Sequence, residues 1–178
     1  MMTSRLPTLL YGATWAGLIA LMVIMPIVLT WIVVSGGVSL ADLGWAYPEH
    51  TAIGAPSKAQ GLAALGIGLI PWVGVGIAGW HLQSLFQLFR DDRALSYAAA
   101  ERIRKVGIWL VIVAISKPIV LMVQVLILTM SNPPGERSLT LALSFSEFGF
   151  LIAGGLMVVI GRALVDATHA VEETRGFV

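Results

Sequence analysis

The sequence predicts an all-α membrane protein with four transmembrane helices, and three observations lead to that prediction. The 178-residue chain is 57% hydrophobic and 12% charged, about half the charged fraction of an ordinary soluble domain. No Asp, Glu, Lys or Arg occurs between Arg5 and Asp42, or between Lys58 and Arg90. Each of these blocks exceeds the roughly 20 apolar residues that a helix needs to cross a bilayer.

The four predicted spans lie in order along a single domain, residues 1–178. They cover about residues 8–34, 62–88, 106–130 and 139–161. Ser96 is a good helix N-cap residue, so we expect a helix to begin at Tyr97 and to continue without a break into the third span. Residues 131–135, Ser-Asn-Pro-Pro-Gly, form a turn sequence that separates the third span from the fourth.

The Lys and Arg residues outside the spans are unequally distributed. One side has eight of them: Arg5, five in the loop between the second and third spans, and Arg162 and Arg175. The other side has only Lys58 and Arg137. Because cytoplasmic loops hold the excess of basic residues, we expect both termini and the helical extension before the third span to be cytoplasmic. The predicted location is a bacterial inner membrane.

Two charged residues interrupt the apolar spans. At 1.5 Å per helical residue, Lys117 and Glu147 lie about 16 Å and about 22 Å from the cytoplasmic edge. A charge inside the membrane costs at least about 2.5–3.5 kcal/mol and has to face protein or water. A flexible lysine can cover the difference in depth, so we predict an intramembrane ion pair that acts as a structural clasp. A proton or ion path and an exposed Glu147 near the outer interface are the alternatives.

Small and basic residues mark candidate contacts. Pairs of small residues four positions apart let membrane helices approach closely. The closest approach is predicted at glycines of the second and fourth spans: Gly68, Gly74, Gly154 and Gly155. Basic residues near a cytoplasmic membrane surface each contribute about 1 kcal/mol to anionic lipid binding. The candidates for such headgroup contacts are Arg102, Arg104 and Lys105.

No motif for catalysis or cofactor binding is found in the sequence. The chain has no cysteine, which excludes thiol catalysis and Cys-based metal sites. It has no phosphate-binding loop, His-Glu-x-x-His motif or nucleophile elbow. His50 and His81 fall on opposite sides of the predicted membrane, so they cannot ligate one haem together. A net charge of +1 gives no electrostatic case for direct nucleic-acid binding. We therefore expect no enzyme, no metal and no cofactor.

Short motifs around the middle loop resemble those of a known family. They are residues 85–90 (Leu-Phe-Gln-Leu-Phe-Arg), Leu95-Ser96 and residues 102–107 (Arg-Ile-Arg-Lys-Val-Gly). They are similar to a bacterial four-span family catalogued as domain of unknown function 2975, as is the tail at residues 161–166 with Glu172-Glu173. Leu95 stands where that family prefers Phe. The resemblance implies no catalytic residues. It also implies a partner, because family members are often encoded beside small helix-turn-helix regulators.

Three functions are compatible with these features. The first is a non-catalytic accessory or structural subunit that works through helix–helix contacts with another membrane protein or complex, in contact with membrane lipids. The second is a membrane partner, a sensor or a sequestering protein, of a cytoplasmic helix-turn-helix transcription regulator. The third is a small transporter, for which the sequence has no inverted repeat and no pair of broken helices.

Cysteine accessibility tests the predicted orientation in this Cys-free chain. In intact cells, Ser96→Cys should stay unmodified by a membrane-impermeant maleimide and should react once the membrane is opened, because the basic loop is expected inside. Lys58→Cys, on the opposite side, is the matched control and should react in intact cells. Labelling of Ser96→Cys from the periplasmic side would overturn the orientation.

Overall fold

The computed structural model describes residues 5–35, 57–91, 93, 96–135, 137, 139, 141 and 143–175. Within these residues the regular structure is entirely helical, with no strand. Four helical spans of this described part are long and apolar enough to cross a membrane. By length and composition, the described part of the chain is therefore that of an all-helical, multi-pass membrane protein.

The first span consists of three consecutive segments. They are α1 (Arg5–Ile19), a π-helical turn (Ala20–Ile24) and α2 (Met25–Val34). The π-helical turn ends two residues before Pro26, which has no N–H to donate and whose ring crowds the preceding turn. A π-helical turn is one way for a helix to accommodate such a break. The Thr30 hydroxyl donates a hydrogen bond of 2.7 Å to the Pro26 carbonyl.

The other three spans are single long helices: α3 (Lys58–Arg90), α4 (Tyr97–Thr129) and α5 (Phe145–Arg175). Ser57 and Gln60 form a capping box at the start of α3. The Ser96 hydroxyl accepts a hydrogen bond of 3.2 Å from the Ala99 N–H, which confirms the predicted start of α4. Pro71 and Pro118 lie inside α3 and α4, which continue through them.

The start of the fourth helix differs from the prediction. Apolar content places the span from about residue 139, whereas α5 begins at Phe145. The Glu147 carboxylate accepts a hydrogen bond of 2.6 Å from the Ser144 N–H, which is the Glu half of a capping box. Hydropathy alone does not predict this helix start, because Leu139, Leu141 and Leu143 come before it and are as apolar as the helix itself.

Where the structure describes them, the spans pack on their neighbours in sequence. Among the described helices, α1 and α2 contact α3, α3 contacts α4, and α4 contacts α5. The first and fourth spans thus form the two edges of a row of helices. We call one end of this row the basic end, because it has the basic residues at the close of α3, the start of α4 and the middle of α5: Arg90, Arg102, Arg104, Lys105 and Arg162.

The seam between α4 and α5 is built from small residues spaced seven apart. On α4 these are Ala100, Gly107 and Ala114, and on α5 they are Gly154 and Gly161, all buried. A Cβ added at Gly107 would lie 2.6 Å from the Gly154 carbonyl oxygen, and one at Gly161 would lie 2.6 Å from the Arg104 backbone nitrogen. A period of seven keeps one helix face on its partner over several turns. The two backbones are therefore in direct contact.

Glycines of α3 lie against two neighbouring spans of the same chain. A Cβ at Gly74 would lie 2.7 Å from Val113 of α4, and one at Gly68 would clash with Gln124 of the same helix. Cβ atoms at Gly76 and Gly79 would clash instead with Met22 and Leu18 of the first span, respectively. The glycine content of α3 lets helices approach it from both sides.

Gly155, one of the predicted positions of close approach, has no such contact with the described part of this chain. A Cβ at Gly155 would meet no described atom within 4 Å, whereas one at Gly154 would lie 2.8 Å from the Gly107 carbonyl oxygen. One residue of helix turns the side-chain direction by about 100°. Gly154 therefore faces α4, and Gly155 faces away from it.

This difference predicts that substitutions at the two neighbouring glycines change the stability of the protein to different extents. Gly154→Leu should destabilise the protein by about 1–3 kcal/mol or more, because overfilling a packed contact forces backbones apart. Gly155→Leu should not destabilise it, and both variants gain the same helix propensity over glycine. Thermal unfolding of the detergent-solubilised protein, followed by size-exclusion chromatography, measures the difference. Equal midpoints for the two variants would contradict the seam.

Candidate functional site

A polar site inside the helical row is centred on the Glu147 carboxylate. Glu147 lies in the first turn of α5 on the same face as Gly154 and Gly161, and it is 4% exposed. One carboxylate oxygen accepts from the Ser144 N–H at 2.6 Å and also from the Ser144 hydroxyl. The other is 3.2 Å from the Ser146 hydroxyl, which donates to it. The start of α5 thus supplies most of the ligands of its own carboxylate.

Lys117 of α4 completes this site. Its Nζ lies 2.6 Å from Glu147 Oε1 and 3.4 Å from the Ser146 hydroxyl. The structure therefore brings together the two residues that the sequence pairs. The two partners differ in environment, since the Lys117 side chain is 49% exposed and the Glu147 side chain 5%. The buried carboxylate depends on the pair more than the lysine does, because a flexible lysine can reposition its ammonium.

The geometry favours a clasp over a proton-transfer site. Both oxygens of Glu147 are occupied by donors, and one of those donors is an ammonium, so the carboxylate is stabilised in its charged form. The pair joins the first turn of α5 to the middle of α4, which continues for another 12 residues to Thr129, or about 18 Å at 1.5 Å per residue. It thus holds the start of α5 against the middle of α4.

A second group of charges lies at the basic end. Arg104 Nη2 donates to Glu101 Oε1 at 2.9 Å, and Lys105 Nζ lies 3.6 Å from the same carboxylate oxygen. Arg102 has a different partner, with its Nη1 2.8 Å from His81 Nδ1 of α3. A guanidinium can only donate, so His81 accepts at Nδ1 and its ring is neutral. Of the three predicted headgroup residues, two are therefore paired with the single Glu101 carboxylate and one, Arg102, is not.

Interhelical polar contacts add to the glycine packing, and the sequence prediction did not include them. Gln124 of α4 donates to the Ala64 carbonyl of α3 at 2.9 Å, and Gln60 of α3 donates to the Ile127 carbonyl at 3.2 Å. In membranes such side-chain amides hold helices together. A lone glutamine within an apolar span is the sequence signal for such a contact.

The described histidines take part in separate contacts. His169 of α5 stacks edge-on against the Tyr97 ring, with centroids 5.4 Å apart, and His81 is bonded to Arg102. His50 lies outside the described residues. Among the residues that the structure describes, no group of three His, Cys, Asp or Glu side chains is placed to hold a metal ion.

No family model, curated protein or solved structure matches this chain. The resemblance to the four-span family therefore stays a prediction.

A double-mutant cycle tests the clasp. Lys117→Met leaves the buried carboxylate without its counter-ion and should cost about 1–3 kcal/mol, the range for an unsatisfied buried polar group. Glu147→Gln removes the charge and keeps an N3 side chain that can still serve the capping box. It should cost less, because the stranded Lys117 is half-exposed. The double variant should recover part of the loss, which unfolding in detergent would measure.

Thr30→Ala serves as the matched control for this cycle. It removes a hydroxyl that bonds within the first span, which has no contact with α4 or α5 among the described helices, so it should show no coupling to Lys117→Met. Purely additive losses for Lys117→Met and Glu147→Gln would contradict the clasp.

Proposed function

We propose that this protein is a non-catalytic subunit of a bacterial inner-membrane complex and that it acts through helix–helix contacts. Both termini and the basic end then face the cytoplasm, as the eight-to-two distribution of Lys and Arg suggests. The observation that supports this function best is the open row of helices. Its edges, the first span and α5, each contact one neighbour among the described helices.

The uncovered surface of α5 combines large apolar and small residues. Phe145 is 92% exposed and Ile152 is 72% exposed. Gly149 lies between them in sequence, and Gly155 follows Ile152. A Cβ added at either glycine would have no described atom within 4 Å. Lipid alone accommodates large apolar side chains, but glycine on an outer face permits another helix backbone to come close. This surface therefore suits a partner helix.

The first span offers a similar surface at the other edge of the row. Four small residues there are exposed or open to the outside: Gly12, Ala13, Ala16 and Gly17. Two of the pairs that they form, Gly12 with Ala16 and Ala13 with Gly17, have the four-residue spacing that allows close helix contact. The row thus has candidate contact surfaces at both edges.

A cytoplasmic partner is the second candidate, and the length of α4 and α5 favours it. These helices have 33 and 31 residues, so each is roughly 45–50 Å long against a hydrocarbon core of about 30 Å. Tyr97 and His169 remain in contact at the basic end. The pair of helices can therefore project beyond the membrane surface and present a docking surface to a regulator.

Gly155→Leu and Gly17→Leu test the proposed function. Each places a large side chain on an uncovered face, so each should release a membrane partner that co-purifies with the wild type in mild detergent. Both variants should still insert and remain monodisperse. Ile115→Leu, on the exposed side of α4, is the matched control and should retain the partner.

Two results would contradict the proposal. One is that both glycine variants keep every co-purifying membrane protein. The other is that the purified wild type alone shows turnover or transport in liposomes. Loss of a DNA-binding regulator, with no membrane protein affected, would support the second candidate instead.

A further inference from the structure

A lateral groove lies between α3 and α4. It has a volume of about 310 Å³ and is lined by Ile70, Val73 and Ile77 on α3 and by Trp109, Ile112 and Ser116 on α4. Gly74 also lines the groove, where its backbone packs closely against Val113 of α4. The Ser116 hydroxyl donates within its own helix to the Val113 carbonyl at 3.1 Å. The α3–α4 groove therefore presents an almost wholly apolar surface.

The groove opens to the outside of the helical row. Val73 and Ile112, one on each wall, are 59% and 43% exposed. In a membrane this opening faces the lipid chains. A flexible apolar chain can therefore enter from the side without passing through the protein.

The groove leads toward the Arg102–His81 pair. On α3, His81 follows Ile77 by four residues, and on α4, Arg102 precedes Trp109 by seven. Both spacings keep a side chain on the same helix face. The hydrogen bond of 2.8 Å between Arg102 Nη1 and His81 Nδ1 closes the seam at the basic end. The apolar groove and the cationic pair thus lie on the same faces of α3 and α4.

Arg102 provides the positive charge at this position. Glu101 is engaged by Arg104 and Lys105, and Asp91 is engaged by Arg90. None of the salt bridges among the described residues includes Arg102. His81 is neutral when it accepts from Arg102, so its Nε2–H is a second donor. A guanidinium and an adjacent N–H donor together suit a phosphate group.

The length of the seam matches one leaflet of a bilayer. His81 and Ile70 are 11 residues apart on α3, or about 16 Å at 1.5 Å per residue. Half of the hydrocarbon core is about 15 Å. We propose that the α3–α4 groove binds an acyl chain of an anionic phospholipid, with the phosphate held by Arg102 and His81.

Quenching of Trp109 by brominated lipid tests this site in the full-length chain in detergent. Phosphatidylglycerol with dibrominated acyl chains should quench the Trp109 signal, defined as the difference between wild type and Trp109→Phe. The same chains on phosphatidylcholine should quench it less. Arg102→Gln should weaken the response to phosphatidylglycerol about fivefold, the effect of one cation near a headgroup. Arg162→Gln changes an exposed residue of α5 that also lies at the basic end, and it should leave the response unchanged.

The groove itself is tested by chain length and by filling. Long-chain phosphatidylglycerol should displace the brominated lipid, whereas the dihexanoyl form and glycerophosphate should not. Ser116→Phe fills the groove and should reduce quenching, while Ile115→Phe, on the neighbouring exposed surface, should not. If Ser116→Phe does not fold, the chain-length series on the wild type decides.

Three outcomes would overturn the site. They are equal quenching by the two headgroups, equal effects of Arg102→Gln and Arg162→Gln, and full displacement by glycerophosphate, which would mean a phosphate site without a chain. Partner binding is not needed for any of these measurements, so they stand or fall separately from the subunit function.

Discussion

Helices in a membrane gain little hydrophobic free energy when they meet, because lipid chains are as apolar as leucine. Their association depends instead on close fit, and here the closest fit is between α4 and α5. Gly107 and Gly154 bring backbone atoms together, and Gly161 lies against the backbone of Arg104. Contacts of this kind tolerate almost no added volume, which fixes how the two helices lie along each other.

The salt bridge depends on that alignment. Glu147 precedes Gly154 by seven residues, so it lies on the same face of α5. The alignment of the two helices places it beside Lys117 of α4. There it serves two purposes, since it binds the Ser144 N–H at the helix start and the ammonium of the next helix. A carboxylate in the first turn is also favoured by the positive end of the helix dipole. Local capping and interhelical contact therefore reinforce each other at one side chain.

Much of this architecture could be predicted from composition and spacing. The spans were predictable because long apolar blocks have few other uses, and the start of α4 was predictable because a cap is a local property of Ser96. The pairing of Lys117 with Glu147 followed from their depths. Orientation and partners remain predictions, because they depend on the membrane and on other molecules.

Other features required knowledge of which helices are neighbours. Gly154 and Gly155 are adjacent in sequence, and only the position of α4 decides which of them is packed. The contact between Arg102 and His81 likewise depends on the rotation of α3 against α4, which apolar content does not specify. The first span contacts only α3 among the described helices, and its apolar content does not specify that neighbour either.

The row of spans also has a consequence for biogenesis. Every described interhelical contact joins segments that are consecutive in the chain, so each new span can dock as soon as it leaves the ribosome and enters the bilayer. Folds dominated by contacts between nearby segments form quickly, because little chain entropy is lost before contacts compensate for it. The helices can assemble pair by pair in order of synthesis, and the last to arrive, α5, finds the small-residue face of α4 already in place.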